Sequence, residues 1–323
     1  MRIAMSIISA VALLVLLSSC APTQRPPEAP ASQAAAPQGA DPEFSMPTAP
    51  ADIETREVVY ATVAGHELHL ALAWPKKPTK LPMPTVVHIH GGAWLVGDHR
   101  GPENYPFAQA GFFTANVEYR LIPEAIFPAQ IQDCKAAIRY LRAHATELRL
   151  DPDRIGVWGD SAGGHLAALL GTSAGVAKLE GDLGNATESS AVQAVVDYYG
   201  PSDIGTMGDA PSSTDHTSAA APESRLIGGS VLENVEKARE ASPVTYVDKS
   251  DPPFLIFHGD RDQIVPFNQS EKLQAALQKA GAESTFVRVK NGGHGFDGQC
   301  SPTQDQTLAL AIEFMQKHLG LGH

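Results

Sequence analysis

The stretch that most constrains the fold of this chain is the pentapeptide Gly159-Asp160-Ser161-Ala162-Gly163. It follows an apolar segment that ends at Trp158 and precedes a helix-favouring run at 165–170. A strand that turns sharply into a helix needs small residues on both sides of the turn, because the backbone passes close to its neighbours there. Ser161 would then sit at the corner with its hydroxyl exposed, at a helix N-terminus that favours developing negative charge. The pattern predicts a nucleophile elbow with Ser161 as the nucleophile, and the alternative is a glycine-rich turn with an incidental serine.

Length and charge narrow the classes of function. The chain has 323 residues, of which 43% are hydrophobic, and this is enough for one large α/β domain with its own core. The formal net charge is −12 and no basic patch stands out, so nucleic acid is not expected as a partner. His88 and His90 share one face of a predicted strand, but no third ligand is evident beside them. We therefore expect neither a metal site nor a cofactor.

Residues 1–20 have the features of an export signal. Arg2 gives a positive start, and the apolar run at 7–17 is shorter than the ~20 residues that span a bilayer. The run ends in Leu17-Ser18-Ser19-Cys20, which resembles the signal of bacterial lipoproteins. That resemblance implies lipidation of Cys20, a lipid anchor as the only contact with the membrane, and a place in the bacterial cell envelope. Ala21 resembles the sorting signal for the outer membrane, and an ordinary secretory signal is the alternative.

The segment 21–51 is rich in proline and alanine and has almost no apolar periodicity. A segment of this composition cannot bury enough apolar surface to fold, so we expect a disordered tether. The predicted folded domain is 52–323. Cys134 lies on an apolar helical stripe and is expected in the core, and a disulfide with Cys300 is the alternative.

Strand-like and helix-like segments alternate along the domain, which predicts a mostly parallel central sheet with helices on both faces. The predicted strands are a pair within 55–74 and the segments 85–90, 113–117, 154–158, 191–198, 253–257 and 284–289. The predicted helices are 129–148, 161–170, 268–280 and 307–319. Residues 201–250 break the alternation, and we interpret them as a small cap insertion over the site. A surface insertion without substrate contact is the alternative.

A serine hydroxyl needs a base to take its proton and an acid to hold that base in the right tautomer. In α/β-hydrolases the acid follows the serine along the chain and the histidine comes last. Asp260 and Asp262 directly follow the predicted strand 253–257, whereas Asp251 precedes it and would lie at the wrong end of the sheet. We predict Asp262 as the acid, with Asp260 bracing the loop. His294 lies in a glycine-rich turn after the next strand and is the predicted base.

Three other histidines lie near these motifs. His90 and His258 are expected to be structural and to bond loop backbone. His165 follows the elbow and is expected on the helix surface, with a place in the site as the alternative.

The stretch His90-Gly91-Gly92-Ala93-Trp94 follows a predicted buried strand and supplies compact residues whose backbone can approach a ligand. Fixed backbone N–H groups that face a developing oxyanion contribute ~3–4 kcal/mol each. We predict an oxyanion hole made of the N–H groups of Gly92, Ala93 and Ala162. Gly91 is the alternative within the loop.

Together these motifs resemble the α/β-hydrolase esterases whose oxyanion motif is His-Gly-Gly-x-Trp. Those include hormone-sensitive-lipase-like bacterial esterases and small carbohydrate-linked acetyl and feruloyl esterases. The resemblance covers roughly residues 83–320, in the pieces 119–121, 127–129, 151–155, 159–164, 262–266 and 293–296. It implies the α/β-hydrolase fold and a triad of Ser161, Asp262 and His294. Ala93 stands where the lipase-like group has a third glycine, which leaves room for arylformamidase-like or feruloyl-esterase-like activity.

The resemblance implies a serine carboxylesterase that acts on short or aromatic acyl esters. Its expected partner is a small-molecule or oligosaccharide ester, in particular an acetyl or feruloyl ester of plant polysaccharide. The alternatives are an arylformamidase, against which an export signal argues, a peptidase, and a binding lipoprotein without catalysis. Trp94, Phe267 and Phe296 are candidates for the wall of an acyl pocket or for ordinary packing.

Overall fold

The strands form a single sheet within residues 47–321, which are the residues that the computed structural model describes. Its order is β1-β2-β4-β3-β5-β6-β7-β8. The strands are β1 Ile53–Val63, β2 His66–Pro75, β3 Met83–Ile89, β4 Phe113–Val117, β5 Leu150–Asp160, β6 Ala194–Tyr198, β7 Phe254–Gly259 and β8 Ser284–Val289. β1 pairs with β2, and β2 with β4, in antiparallel fashion, and all other pairs are parallel. The predicted α/β-hydrolase architecture is therefore confirmed.

Helices connect the parallel strands. They are α1 Tyr105–Gln109, α2 Ala129–Ala143, α3 Ala145–Leu148, α4 Ala162–Thr172, α5 Ala177–Glu180, α6 Pro222–Leu226, α7 Val235–Glu240, α8 Asn268–Ala280 and α9 Gln304–Leu319. The predicted single helix at 129–148 is wrong in one respect, because the chain breaks at His144 and begins the short helix α3. A capping box between Thr303 and Gln306 starts α9. This cap begins the helix three residues earlier than the apolar pattern suggested.

The sheet separates two apolar layers. Val87, Ile89 and Val157 pack with residues of α2 and α4 on one face, and Val86 packs with residues of α1 and α9 on the other. Alternate residues of a strand point to opposite faces, so a strand covered on both sides is apolar throughout. Every residue of β3 is buried for this reason. Cys134 lies in the first layer, as predicted, and both Cys134 and Cys300 are free thiols.

The carboxyl ends of the parallel strands meet at one edge of the sheet. The loop after β3 carries the predicted oxyanion motif, and the loop after β5 carries Ser161. Asp262 follows β7 and His294 follows β8 at the same edge. Parallel strands place their functional loops together in this way.

The insertion at 201–250 contains α6, α7 and two short 3-10 turns, Ile204–Asp209 and Pro243–Thr245. Part of it bonds to the loop after β7, since the Ser213 N–H donates to the Gln263 carbonyl at 2.7 Å. The predicted signal segment, Cys20 and most of the predicted tether lie outside the described residues. No helix of residues 47–321 is both long and apolar enough to cross a membrane.

Candidate active site

The backbone turns sharply from β5 into α4 at Ser161. This residue has φ 53° and ψ −119°, a conformation that L-residues rarely adopt and that costs of order 1–3 kcal/mol. The Ser161 N–H donates to the Tyr198 carbonyl at 2.9 Å and holds the turn against the end of β6. The flanking glycines are required by close backbone contacts. A Cβ on Gly163 would lie 1.9 Å from the Ile89 oxygen, and one on Gly159 would lie 2.4 Å from the Gly163 oxygen.

Asp262 and His294 are joined directly. The His294 ring donates from Nδ1 to Asp262 Oδ2 at 2.8 Å when that nitrogen carries the proton. The other oxygen, Oδ1, accepts the N–H groups of Ile264 at 2.8 Å and of Val265 at 2.9 Å. Burial alone would raise the pKa of Asp262, but hydrogen bonds from His258 and His294 and the charges of those rings outweigh it. The pKa is held well below the usual aspartate value, so the carboxylate is ionised.

The last residue of β6 and the residue after it contact the serine and the histidine, respectively. Ser161 bonds to the Tyr198 carbonyl, and the neighbouring Tyr199 ring lies 4.6 Å from the His294 ring, centroid to centroid. His294 begins a 3-10 turn, His294–Phe296, and its side chain is 20% exposed. The imidazole is therefore accessible at the edge of the sheet where Ser161 lies.

The two competing carboxylates lie as the sequence predicted. Asp260 accepts the Asn291 N–H at 2.7 Å and the Arg288 guanidinium at 2.9 Å, so it braces the loops after β7 and β8 against each other. Asp251 precedes β7, at the opposite edge of the sheet, and accepts the Asp248 N–H at 3.0 Å.

The loop after β3 has three consecutive residues with positive φ, namely Gly92 at 105°, Ala93 at 54° and Trp94 at 59°. The Gly92 carbonyl accepts the N–H groups of Leu95 and Val96 and closes the turn. Within residues 47–321, no acceptor binds the N–H groups of Gly92 or Ala93. Ala162 is the first residue of α4, and the first N–H groups of a helix have no partner inside it. All three predicted donors are available to a ligand.

Gly91, the alternative oxyanion residue, packs against the elbow. A Cβ at this position would meet Asp160 Oδ2 at 2.5 Å. Its role is therefore close packing between the two loops.

A small cavity of about 40 Å³ adjoins the serine. Its wall combines four parts of the chain, which are the oxyanion loop, the elbow, the insertion and the loop after β7. The lining includes Ala93, Trp94, Ser161, Ala162, Thr214, His216, Glu223, Ile264 and Val265. Sequence reasoning missed His216 and Glu223, because the insertion has no periodicity or motif that marks them.

A wider cleft of about 380 Å³ is lined by the elbow residue Asp160 and by Gly295, next to His294. Its wall includes the aromatic residues Trp158, Tyr198, Tyr199 and Phe296, and Glu103 adds a carboxylate. A larger cavity of about 570 Å³ contains Asp52, Lys76 and Gln109 and none of the predicted site residues. Size alone therefore does not identify the site in this protein.

The three aromatic residues predicted as candidates for an acyl pocket lie in different places. Trp94 lines the small cavity and Phe296 lines the wider cleft. Phe267 lines neither cavity. Its ring packs against the His258 ring, with 5.4 Å between the centroids, and lies under the Arg288 guanidinium.

His90 and His258 are structural, as predicted. His90 Nδ1 bonds to the Gly91 carbonyl at 2.8 Å, and burial lowers the pKa of this ring to about 4. His258 bonds to Ser270 Oγ at 2.7 Å and to the Val265 carbonyl at 3.0 Å, which ties the loop after β7 to α8. Among the described residues, no group of three or more histidine, cysteine or acidic side chains is arranged to hold a metal ion.

The prediction that His165 lies on the helix surface is wrong. The ring is 0% exposed, bonds to the Ala241 carbonyl at 2.7 Å and accepts Trp94 Nε1–H at 3.2 Å. Burial lowers its pKa to about 4, so it is neutral. Every residue of α4 is buried, and the apolar run around His165 was the signal for this. The neutral ring accepts the Trp94 indole N–H and so fixes the orientation of that side chain.

Comparison with known proteins finds esterases among those similar to this chain. The profile of the BD-FAE family matches residues 70–277, which is more than half of the chain. Esterase LipQ of Mycobacterium tuberculosis is 33% identical over 219 residues, which are 66% of this chain and 50% of that protein. The chain spans about half to two thirds of the length of the curated relatives it matches.

Solved structures are similar over most of the described domain. A truncated carbohydrate esterase from gut microbiota is 35% identical with a TM-score of 0.74, and the match covers 84% of this chain and 99% of that one. A thermophilic esterase of the planctomycete Thermogutta terrifontis is 29% identical with a TM-score of 0.65, and covers 83% of this chain and 92% of its own. The latter also has structures with propionate and with butyrate bound. Since the profile matches more than half of the chain, this chain belongs to the BD-FAE family of α/β-hydrolase esterases.

Proposed function

We propose that the protein is a serine carboxylesterase for short acyl esters, with Ser161, His294 and Asp262 as its catalytic residues. The observation that carries this proposal is the fixed geometry of Asp262. One of its oxygens is occupied by two backbone N–H groups and the other by His294 Nδ1. This arrangement holds the proton on Nδ1 and leaves Nε2 as the free acceptor, which is the state that a general base for a serine requires.

In the proposed reaction, His294 Nε2 takes the proton of Ser161 as Oγ attacks the carbonyl carbon of the ester. The N–H groups of Gly92, Ala93 and Ala162 stabilise the tetrahedral oxyanion. Collapse of this intermediate breaks the bond to the alcohol, which leaves with the proton from His294. Water, deprotonated by the same ring, then attacks the acyl-enzyme and releases the carboxylic acid and Ser161.

The small cavity supports a short acyl group. At about 40 Å³ it has room for a group of roughly acetyl size, given that one water needs about 10–15 Å³ by the same measure. The similar esterase from Thermogutta terrifontis binds propionate and butyrate, which are also short. Acetyl esters are therefore the preferred substrates in this proposal.

The aromatic cleft beside Asp160 and Gly295 supports a ring-shaped alcohol, since flat apolar walls bind the apolar faces of sugars and aromatic groups alike. The similar enzyme from gut microbiota is a carbohydrate esterase. We therefore propose an acetylated carbohydrate as the substrate. A feruloyl ester is the second candidate, because the same cleft, at about 380 Å³, has the volume for a phenyl ring.

The cellular site is part of the proposal. The resemblance of residues 1–20 to a lipoprotein signal supports a lipid anchor at Cys20 in the bacterial envelope. Polysaccharide fragments that enter the envelope would be within reach of an anchored esterase.

The full chain should be assayed with p-nitrophenyl acetate, methyl ferulate, acetylated xylan and N-formylkynurenine. We expect acetyl release from the first and third substrates and its loss in Ser161→Ala at unchanged melting temperature. The matched control is Ser250→Ala, which removes the hydroxyl of an exposed loop serine and should leave the rate unchanged. Ester cleavage that survives Ser161→Ala would refute the nucleophile. Turnover of the formamide alone would favour the arylformamidase, and no turnover at all would favour the binding lipoprotein.

A further inference from the structure

Two side chains of the insertion form a buried ion pair next to the serine. His216 Nδ1 lies 2.9 Å from Glu223 Oε1, and both side chains are only 3% exposed. The other ring nitrogen of His216 bonds to the Ile264 carbonyl at 3.0 Å and lies 3.1 Å from Ser212 Oγ. Ile264 follows Asp262 by two residues, so the pair is fixed to the loop that carries the catalytic acid.

The second oxygen of Glu223 is left without a partner. Oε2 is buried and has no hydrogen bond to any group within residues 47–321. A buried acceptor without a donor costs about 1–3 kcal/mol, and more when it is charged. Native proteins rarely keep such a group unless it serves a ligand or an ordered water.

The position of Glu223 indicates which kind of ligand. Glu223 and His216 both line the cavity of about 40 Å³ that also contains Ser161, Ala93 and Ala162. An ester bound with its carbonyl oxygen at Ala93 and Ala162 would therefore occupy the cavity whose wall includes this side chain, and a small turn of the buried carboxylate would bring Oε2 to it. A donor on the substrate would satisfy the unpaired oxygen.

The charge of the pair favours a neutral donor over a cation. Burial would lower the pKa of His216, but the hydrogen bond and charge of Glu223 outweigh it, so the pKa is raised above the usual value. Both ring nitrogens of His216 face oxygen acceptors, Nδ1 the Glu223 carboxylate and Nε2 the Ile264 carbonyl, so a doubly protonated ring would balance the carboxylate and leave no net negative charge to attract an ammonium group. A hydroxyl is the neutral donor that a carbohydrate ester supplies.

We propose that Glu223 is a specificity-determining residue whose free Oε2 accepts a hydrogen bond from a hydroxyl group of the bound ester. This inference rests on the proposed esterase function. The hydroxyl can belong to the alcohol, as in a partly acylated sugar or polyol, or to the acyl group. A site built to bond a hydroxyl discriminates strongly against an analogue without the proton, because the site's own polar group is then left unpaired.

The test uses two pairs of esters in which a methyl group replaces one hydroxyl proton. The first pair is 2-hydroxyethyl acetate and 2-methoxyethyl acetate, and the second is ethyl glycolate and ethyl methoxyacetate. The ratio of kcat/KM within each pair is measured by pH-stat titration with the full chain. This ratio does not depend on the fraction of folded enzyme, so a partly unfolded variant still gives a valid result.

We expect the unaltered protein to prefer the hydroxyl ester of one pair by about 10- to 100-fold, as for hydrogen bonds to a charged group. That pair identifies whether the alcohol or the acyl group carries the hydroxyl. In Glu223→Gln the amide oxygen still faces His216, so an NH₂ group replaces Oε2. This NH₂ can donate to a hydroxyl or to a methoxy oxygen, and the ratio should fall to near one. Glu223→Leu should have the same effect.

The matched control is Thr214→Val, which removes a hydroxyl from the wall of the same cavity and should preserve the ratio. A ratio near one in the unaltered protein, or a ratio unchanged in Glu223→Gln, would mean that only water fills the position, and the inference would be overturned. If the unaltered protein hydrolyses no ester of either pair or p-nitrophenyl acetate, the proposed function fails and this inference fails with it.

Discussion

The replacement Asp262→Asn should remove most of the activity without removing the fold. Asp262 Oδ1 accepts two backbone N–H groups, from Ile264 and Val265, and an amide must keep its oxygen there. The NH₂ group of the asparagine is then forced toward His294 Nδ1, which lies 2.8 Å from Oδ2 in the native protein. Nδ1 has to become an acceptor, the ring proton moves to Nε2, and the base can no longer take the proton of Ser161.

The expected loss of kcat follows from the changed tautomer of the His294 ring. The same change in another Ser-His-Asp enzyme lowers kcat about 10⁴-fold, and we expect a loss of about 10³- to 10⁴-fold in kcat for acetyl ester hydrolysis. This corresponds to about 4–5.5 kcal/mol of transition-state stabilisation. KM should change little, because the carboxylate does not contact the substrate in the proposed mechanism.

The matched control is Asp260→Asn, the neighbouring carboxylate that the sequence left as the alternative acid. Its amide oxygen can still accept the Asn291 N–H, so kcat should stay within about tenfold. A loss below tenfold in Asp262→Asn, or a larger loss in Asp260→Asn, would refute the assignment.

The pKa of Asp262 is held low in the folded state, so its ionised form stabilises the protein above the unfolded pKa of about 4. The drop in melting temperature of Asp262→Asn should therefore be largest at neutral pH and shrink as the pH falls below about 4.

Three further predictions concern strain, burial and anchoring. Ser161→Gly should abolish ester hydrolysis yet raise the melting temperature by a few degrees, because glycine relieves a backbone strain of ~1–3 kcal/mol at φ 53°; a lower melting temperature would contradict this. Burial raises the pKa of Asp197 to about 6, so the protonated form stabilises the fold at low pH and that stability is lost as the pH rises through about 6. Asp197→Asn should therefore gain stability relative to the native protein between pH 5 and pH 8, by about 1–2 kcal/mol in chemical unfolding, and a constant difference would refute it. Cys20→Ser should release the protein from the membrane fraction and abolish labelling with a radioactive fatty acid, whereas continued labelling would exclude Cys20 as the lipid site.

The sequence predicted the parts of the site whose signals are local. The elbow, the oxyanion loop and the loops after β7 and β8 each combine glycines with one reactive residue directly after an apolar strand. The helix α8, Asn268–Ala280, was predicted to its last residue, because its apolar period is regular. Such features depend on short-range sterics, which neighbouring residues in the chain determine.

What the sequence did not predict depends on contacts between distant segments. His165 is buried by Trp94, 71 residues earlier, and by the carbonyl of Ala241, 76 residues later. His216 reaches the Ile264 carbonyl across 48 residues. The residues next to these contact partners in the chain give no indication of the contact. The insertion also has no periodic pattern that would predict which of its side chains point inward. The pair of His216 and Glu223, which lines the cavity beside Ser161, was not predicted for this reason.

The contact between Gly163 and β3 has a consequence for how the catalytic parts keep their spacing. A Cβ on Gly163 would lie 1.9 Å from the Ile89 oxygen and 2.7 Å from the His90 oxygen, so the helix backbone touches the strand backbone directly. Ser161 and Ala162 directly precede Gly163 on the helix side of this contact. On the strand side, Gly92 and Ala93 follow His90 by two and three residues. The separation between the Ser161 backbone and the predicted oxyanion donors is thus set by main-chain contact. Substitutions of side chains around the pocket can therefore change the room for an ester without changing that separation.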